Sequence, residues 1–527
     1  MPAVRFPTHV HVNRFAGRFV LALFGGAAIA VLALAGQAAA AGVFDGNLVV
    51  SSLTYEGSAS TVTVGQQLPN CTAPGACVSA TANGKFGNVF QNDVPDANFG
   101  VTAPYSLQFY SAGRKSASLK STYNLNSAGF TGSFSSKSEG AINVSADGKS
   151  ITLMGYNSGA NQIDISNANT PTATETGNTD VAAATARTVA QVNANGTTQF
   201  TNTDAYSGNN PRAVILAANG KYYAAGNGGN GNGDGNIAAY TGVQQITPGG
   251  SLPNITETGT VNAASYGVTD KKPFKENNFR GETLFDNTIY VTKGSGSNGI
   301  DTVYQVGPGG SLPTVGATIS VLPGFPTGAA KADTNFFPFG IWFANKDTLY
   351  VADEGDGVLG DAASDGNAGL EKWSFNGATW VKDYTLQTGL ALGTNYTVSG
   401  SDFAGDSGSY TTATDGLRNI IGKVNPDGTV TIYAVTSTAS VGTGDQGADP
   451  DKLVAITDNL GFTTAGQASG EAFTTLQTAA YGQVLRGVAL LAVPEPDTWA
   501  MMLLGLSGLG AMMRAGRKAR RAGVIAA

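Results

Sequence analysis

Gly340-Ile-Trp-Phe-Ala-Asn-Lys-Asp-Thr-Leu-Tyr-Val-Ala-Asp-Glu-Gly355 consists of two short apolar runs separated by a polar Asn-Lys-Asp turn. Each run is too short for a helix and rich in aromatic and β-branched residues, which is the pattern of two strands joined as a hairpin. The same unit recurs as Gly140-AINVSADGKSITLMGY, Arg212-AVILAANGKYYAAG, Arg280-GETLFDNTIYVTKG and Gly416-LRNIIGKVNPDGTVTIYAV. Its turns fall at Gly148, Gly220, Asn287, Asp347 and Gly428. A second fragment, ITPGGSLP ending at Pro253, returns as VGPGGSLP ending at Pro313, the same interval that separates the turns at Asn287 and Asp347.

A repeat of about 70 residues is long for one hairpin and suits a four-stranded blade with generous loops. The expected fold is therefore all-β, a β-propeller over residues 42–492 with six or seven blades, seven preferred. A β-helix would repeat at shorter intervals, and a row of sandwiches would need linkers. Partial copies stand at the two ends of this span, Phe44-DGNLVVSSLTYEG and Gly482-QVLRGVALLAV. A ring has to close without leaving a bare edge, so 46–53 and 484–492 are predicted to share a blade or lie in adjacent ones.

The termini read as addresses. Residues 1–41 carry Arg5, Arg14 and Arg18 with no acid, an apolar stretch from Phe19 to Ala35, and Gln37 followed by Ala38–Ala41. That is a secretory signal helix with an A-x-A cleavage site, the alternative being an uncleaved anchor. At the other end, Val493-Pro494-Glu495-Pro496 and Trp499 precede an apolar run from Ala500 to Met513 and the bases Arg514, Arg517, Lys518, Arg520 and Arg521. The run is shorter than the ~20 residues of a full span, and the bases place its end in the cytoplasm.

Residues 493–521 resemble a PEP-CTERM sorting signal: a Pro-Glu-Pro motif, a short hydrophobic helix and an arginine cluster. The resemblance implies export through the Sec machinery, recognition by a membrane-embedded exosortase, and removal of the helix. The chain would then be released to, or attached at, a Gram-negative cell surface, often one with an exopolysaccharide matrix. A plain C-terminal anchor is the alternative. Contact with membrane is expected only through the terminal helices before processing.

Composition narrows the chemistry. The 527 residues are 13% charged and include 72 glycines, with a net charge of −7. Without the two basic ends the chain holds 22 basic and 35 acidic residues, a net of −13, which argues against nucleic acid as a partner. His9 and His11 both lie in the signal, so the mature chain has no histidine. That excludes Ser-His-Asp and Cys-His catalysis and His-ligated metal sites. Cys71 and Cys77 bracket a Pro74-Gly75 turn and are expected to form a disulfide in an oxidising compartment.

Weaker motifs resolve into turns. Gly148-Lys149-Ser150 is no phosphate loop, because position 143 is Asn and a strand follows. Ser374-Phe375-Asn376-Gly377-Ala378-Thr379-Trp380 is one residue short of a sialidase Asp-box, itself only a hairpin turn. Asp353, Glu354, Asp356, Asp361, Asp365, Asn367 and Glu371 gather many oxygens within one short stretch. Ca²⁺ needs six to eight such oxygens, so Asp353, Glu354, Asp356 and Asp365 are the candidate metal ligands, against the alternative of a solvated acidic loop. Asp445, Asp449 and Asp451 form a second, weaker cluster.

Pro338-Phe339-Gly340-Ile341-Trp342-Phe343, Asp347 to Asp353 and Gly369 to Trp373 are similar to the NHL-type propeller repeat. The GNLVV start and RGVAL end resemble a family of secreted bacterial propellers, which supports the fold and implies no activity. The functional expectation is a non-enzymatic binding or structural protein of the cell surface or matrix, partnered by exopolysaccharide or another surface component. No cofactor is expected, with Ca²⁺ the one candidate. The alternative is a Ca²⁺-dependent propeller hydrolase such as a lactonase; a carboxylate-pair glycosidase is a third reading.

Overall fold

A computed structural model describes residues 43–491 except 59, 66–83, 88–99, 126–128, 164, 174–182, 228–241, 263–264, 266–276, 297–298, 333–334 and 442–445. The signal at 1–41, Cys71, Cys77 and the tail from Val493 lie outside the described residues. Among these residues there is no α-helix, and none of their helices is long and apolar enough to cross a membrane.

The strands, in chain order, are β1 Leu48–Thr54, β2 Thr102–Ala112, β3 Ala117–Asn124, β4 Phe130–Ser133, β5 Asn143–Val144, β6 Ser150–Asn157, β7 Arg187–Asn193 and β8 Thr198–Thr203. There follow β9 Pro211–Leu216, β10 Tyr222–Gly226, β11 Gln244–Ile246, β12 Thr256–Glu257, β13 Gly259–Val261, β14 Glu282–Phe285, β15 Thr288–Lys293, β16 Thr302–Val306 and β17 Ala317–Val321. The last third holds β18 Pro338–Asn345, β19 Thr348–Asp353, β20 Gly369–Phe375, β21 Trp380–Leu386, β22 Asn395–Ser401, β23 Ser407–Val424, β24 Thr429–Ser440, β25 Lys452–Asn459, β26 Thr474–Thr478 and β27 Gln483–Leu490.

They form a propeller-like set of sheets. Four are compact: β9 to β12, β14 to β17 with β13 added in parallel on β17, β18 to β21, and β22 to β26. The fifth runs β27-β1-β2-β4-β6-β7-β8, with β3 on β2 and β5 on β6. Its middle link is only the short β4, which pairs with β2 at Thr102–Pro104 and with β6 through Phe130 and Thr131.

All five hairpins expected from the repeat are present: β5/β6, β9/β10, β14/β15, β18/β19 and β23/β24. Their turns explain the Asp-Gly and Asn-Gly pairs. The N–H groups of Ser145, Ala217 and Asn425 donate across the turn to the carbonyls of Ser150, Lys221 and Thr429, and a glycine with φ of 73°, 74° or 78° stands before each return strand. The side chain before each glycine, Asp147, Asn219 or Asp427, accepts the N–H two residues on. This combination needs one left-handed residue and one short acceptor side chain. The β14/β15 turn places Asp286 and Asn287 at φ of 47° and 55°, as a two-residue hairpin loop requires.

Strands such as β1, β6, β19 and the middle of β24 are buried on both faces, which is why they read as continuous apolar runs. Along β1, Val49 and Leu53 enter the core shared with Ile151 and Leu153 of β6, while Leu48 and Val50 enter the one shared with Tyr433 and Val435 of β24. Along β19, Leu349 and Val351 face β15, and Tyr350 and Ala352 face Ile432 and Ala434. Alternating side chains thus weld each sheet to the one before and the one after it. β1 pairs antiparallel with β27, Leu48 opposite Leu490 and Thr54 opposite Gln483, so the two ends share one sheet as predicted.

Candidate functional site

Several sheets carry a buried arginine on or just before one of their strands. Arg212 stands in β9, Arg418 in β23, Arg486 in β27, and Arg280 shortly before β14; all four are buried. Next along the chain come Ala213, Gly281, Asn419 and Gly487, with Gly340 in the same place on β18. A Cβ on Gly340 would lie 2.5 Å from the Arg418 carbonyl oxygen, so β18 and β23 meet backbone to backbone at this level.

Close approach of four buried guanidinium groups demands compensation. Glu354, from the end of the β18/β19 hairpin, supplies part of it: Oε1 lies 2.7 Å from Arg280 Nη1 and Oε2 3.2 Å from Arg418 Nε. Burial alone would raise this carboxyl, but Arg280, Lys137 and Arg418 bring it down to about 2. The other two arginines rely on neutral acceptors. Arg212 Nη1 donates to Asn278 Oδ1 and the Phe279 carbonyl at 2.5 and 2.6 Å. Arg486 Nη2 donates to the carbonyls of Phe134 and Gly447 at 2.7 and 2.5 Å. Burial, with Arg280 nearby, pulls Arg212 down to about 9, and burial pulls Arg486 down to about 10 against the pull of Asp451. Burial lifts Asp451 to about 7 even beside Arg486, and Asp415 to about 7.

The residues following this layer wall a cavity of about 240 Å³. Every sheet contributes: Asn143 and Val144, Ile215, Glu282 to Phe285, Gly340 to Phe343, Asn419 to Ile421, and Val488 to Leu490. The wall mixes polar and apolar surface in nearly equal parts, and Glu282 is the one ionisable residue along it. Both Glu282 oxygens are buried without a hydrogen-bond partner among the described residues, and burial holds the carboxyl well above the usual carboxylate range.

The candidate metal ligands are placed differently from one another. Buried Asp353 accepts the N–H groups of Phe337 and Gly355 at 2.8 and 2.9 Å. Glu354 is the arginine partner. Asp356, exposed, accepts the Val358 N–H at 2.8 Å, and Asp365 those of Asn367 and Ala368 at 2.9 and 3.2 Å. Each carboxylate serves as a turn acceptor or ion-pair partner, and no three Asp, Glu, Cys or His among the described residues are grouped to hold a metal ion. Asp449 bonds Thr412 and Ser440, and Asp445 lies outside the described residues.

The arginine layer and Glu282 are absent from the candidate sites read in the sequence. The arginines had a legible signal: the interval from Arg212 to Arg280 equals that from Arg418 to Arg486, and the gap between the two pairs is about twice as long. Nothing marks Glu282, which follows Arg280-Gly281 in a strand of otherwise ordinary alternation.

Residues 492–518 match the PEP-CTERM protein-sorting motif. The motif marks the chain for exosortase-dependent export to the cell surface, with transient anchoring in the membrane by its tail. No curated protein matches the chain in sequence. Among solved structures, an oxidoreductase (glucose dehydrogenase) of Thermus thermophilus is 12% identical with a TM-score of 0.30, over 63% of this chain and 87% of that one. The PQQ-bound aldose sugar dehydrogenase of Streptomyces coelicolor is 11% identical with a TM-score of 0.31, over 68% and 91%. The hemagglutinin-neuraminidase ectodomain of parainfluenza virus 5 is 8% identical, also at 0.31, over 82% and 93%. At these scores the likeness carries no argument about activity, cofactor or substrate.

Proposed function

We propose that this chain is a six-bladed propeller of the cell surface that works by binding a component of its surroundings, without turning it over. The count of six, against the preferred seven, comes from reading the nine-stranded sheet as two blades, β27-β1-β2-β3 and β5-β6-β7-β8, tied by β4. The observation that carries the binding role is the cavity to which strands of every sheet contribute: a concave site with a limited number of polar groups is the usual form of a ligand pocket. The histidine-free mature chain supports the same reading. The matrix exopolysaccharide that accompanies such sorting tails is the proposed partner of the outer surface.

The test is co-sedimentation of the purified, processed chain with exopolysaccharide from the producing cells, with and without chelator. Retention of the chain with no release of reducing ends, unchanged by chelator, is the expected result. Release of reducing ends would overturn the non-enzymatic role, and activity lost on chelation would point to the Ca²⁺-dependent hydrolase.

A further inference from the structure

We propose that Lys372 and Asp458 become joined by an amide between Nζ and Cγ, a cross-link that the folded chain makes by itself with Glu471 carrying the protons. It goes beyond the binding role proposed above and does not depend on it. Lys372 stands in β20 and Asp458 in β25 of the following sheet, 86 positions along the chain. Both side chains are fully buried, and Lys372 Nζ lies 2.9 Å from Asp458 Oδ2. Nζ also donates to the carbonyls of Asn459 and Leu460 at 2.7 and 3.3 Å and to the Tyr384 hydroxyl at 3.1 Å. The Tyr350 hydroxyl donates to Asp458 Oδ2, and the Tyr384 hydroxyl to Oδ1 at 2.5 Å. Burial, and then Asp458, hold both phenols far above their ordinary range, so they stay donors.

Glu471, just after the short 3-10 helix Gln467–Gly470, completes the group. Its Oε1 accepts the Asn459 N–H at 2.9 Å, and its Oε2 is buried without a donor among the described residues. The Glu471 carboxyl hydrogen-bonds Asp458, which requires a proton between the two; burial first, and then Asp458, lift it to about 8. An ion pair alone gives no use to a protonated acid set against its carboxylate. Two charges without solvent are also costly to hold, whereas an amide is neutral. The balance is an ammonium and a carboxylate giving an amide and one water, with no oxidant or co-reactant. One proton passes from Nζ to the Asp458 carboxylate, and the neutral amine attacks Cγ from a fixed position. The Tyr350 and Tyr384 hydroxyls stabilise the charge that develops on the carboxyl oxygens. As the bond from Cγ to one Asp458 oxygen breaks, Glu471 gives its proton to the departing hydroxyl and recovers one from the nitrogen.

Mass spectrometry of the whole processed chain, unfolded and reduced, tests this. The chain is expected to be lighter by one water than its sequence between the observed terminal peptides requires. Trypsin is expected to leave Lys372 uncut, in a branched peptide that also carries Asp458. Survival of that peptide in mild alkali distinguishes it from a cyclised Asp-Gly pair such as Asp427-Gly428. Lys372→Arg should restore the full mass, and Glu471→Gln should form the branched peptide about a hundredfold more slowly. A full-mass unsubstituted chain with Lys372 open to trypsin would overturn the cross-link without any variant. So would a mass deficit that persists in Lys372→Arg, and an unchanged rate in Glu471→Gln would overturn the role of Glu471.

Discussion

At the scale of single residues, this protein concentrates buried charge where its strands converge. Asp415 and Asp451 are lifted by burial to about 7, from ordinary values near 3.8. Between about pH 4 and 7 the folded chain retains protons that the unfolded chain has released, so stability falls as pH rises through that window. The raised carboxyls of Glu139, Glu282 and Asp353 act in the same direction. Glu354 acts oppositely: held at about 2, its contribution is complete above the ordinary 4.5 and is lost as pH falls from there. The melting temperature is therefore expected to peak at about pH 4 and to be a few degrees lower at about pH 7.5. Asp451→Asn should shrink the difference between those two conditions. A melting temperature that climbs steadily across that range would contradict the assignment.

At the scale of elements, glycine plays two separable parts. Gly220 has φ +74° and no atom within 4 Å of where a Cβ would stand, so Gly220→Ala costs only the left-handed backbone penalty, about 1–2 kcal/mol. Gly340 is a question of space, because its Cβ would press on the Arg418 and Asn419 backbone of the neighbouring first strand. Gly340→Ala is expected to cost about 3 kcal/mol or more. Chemical denaturation of both variants checks the order, and a larger loss in Gly220→Ala would refute it. The hairpins themselves were legible in the sequence, because an Asp-Gly or Asn-Gly pair between two apolar runs carries its own mechanism. The parallel pairing of β13 with β17 was not legible, since nothing local at Gly259–Val261 names Ala317–Val321 as its partner.

At the scale of the whole molecule, the ring is held shut by β1 and β27, the first and last strands of the described chain. Leu485 and Val488 of β27 also pack into the core that holds Tyr433 and Leu453. A chain ending at residue 482 is expected to lose its cooperative thermal transition, whereas one ending at 492 should melt like the full chain. A truncation at 482 that still melts cooperatively at the full-chain temperature would show that closure does not depend on this strand. The expected tolerance at 492 is what allows a sorting tail to be removed after folding without disturbing the propeller.

Sequence alone determined the features whose causes are local. Turn chemistry set the hairpins, apolar runs of strand length set the all-β class, a recurring unit set the propeller, and the C-terminal sorting motif set the route of export. The tertiary structure decided everything that depends on which distant residues meet. Arg212, Arg280, Arg418 and Arg486, far apart in the chain, become one buried layer, and Asp353, Glu354, Asp356 and Asp365, close in sequence, take separate partners. Glu282 gains its unusual state only because the fold buries both its oxygens with no donor among the described residues. Pairing and burial are properties of a closed ring, and no window of sequence contains the ring.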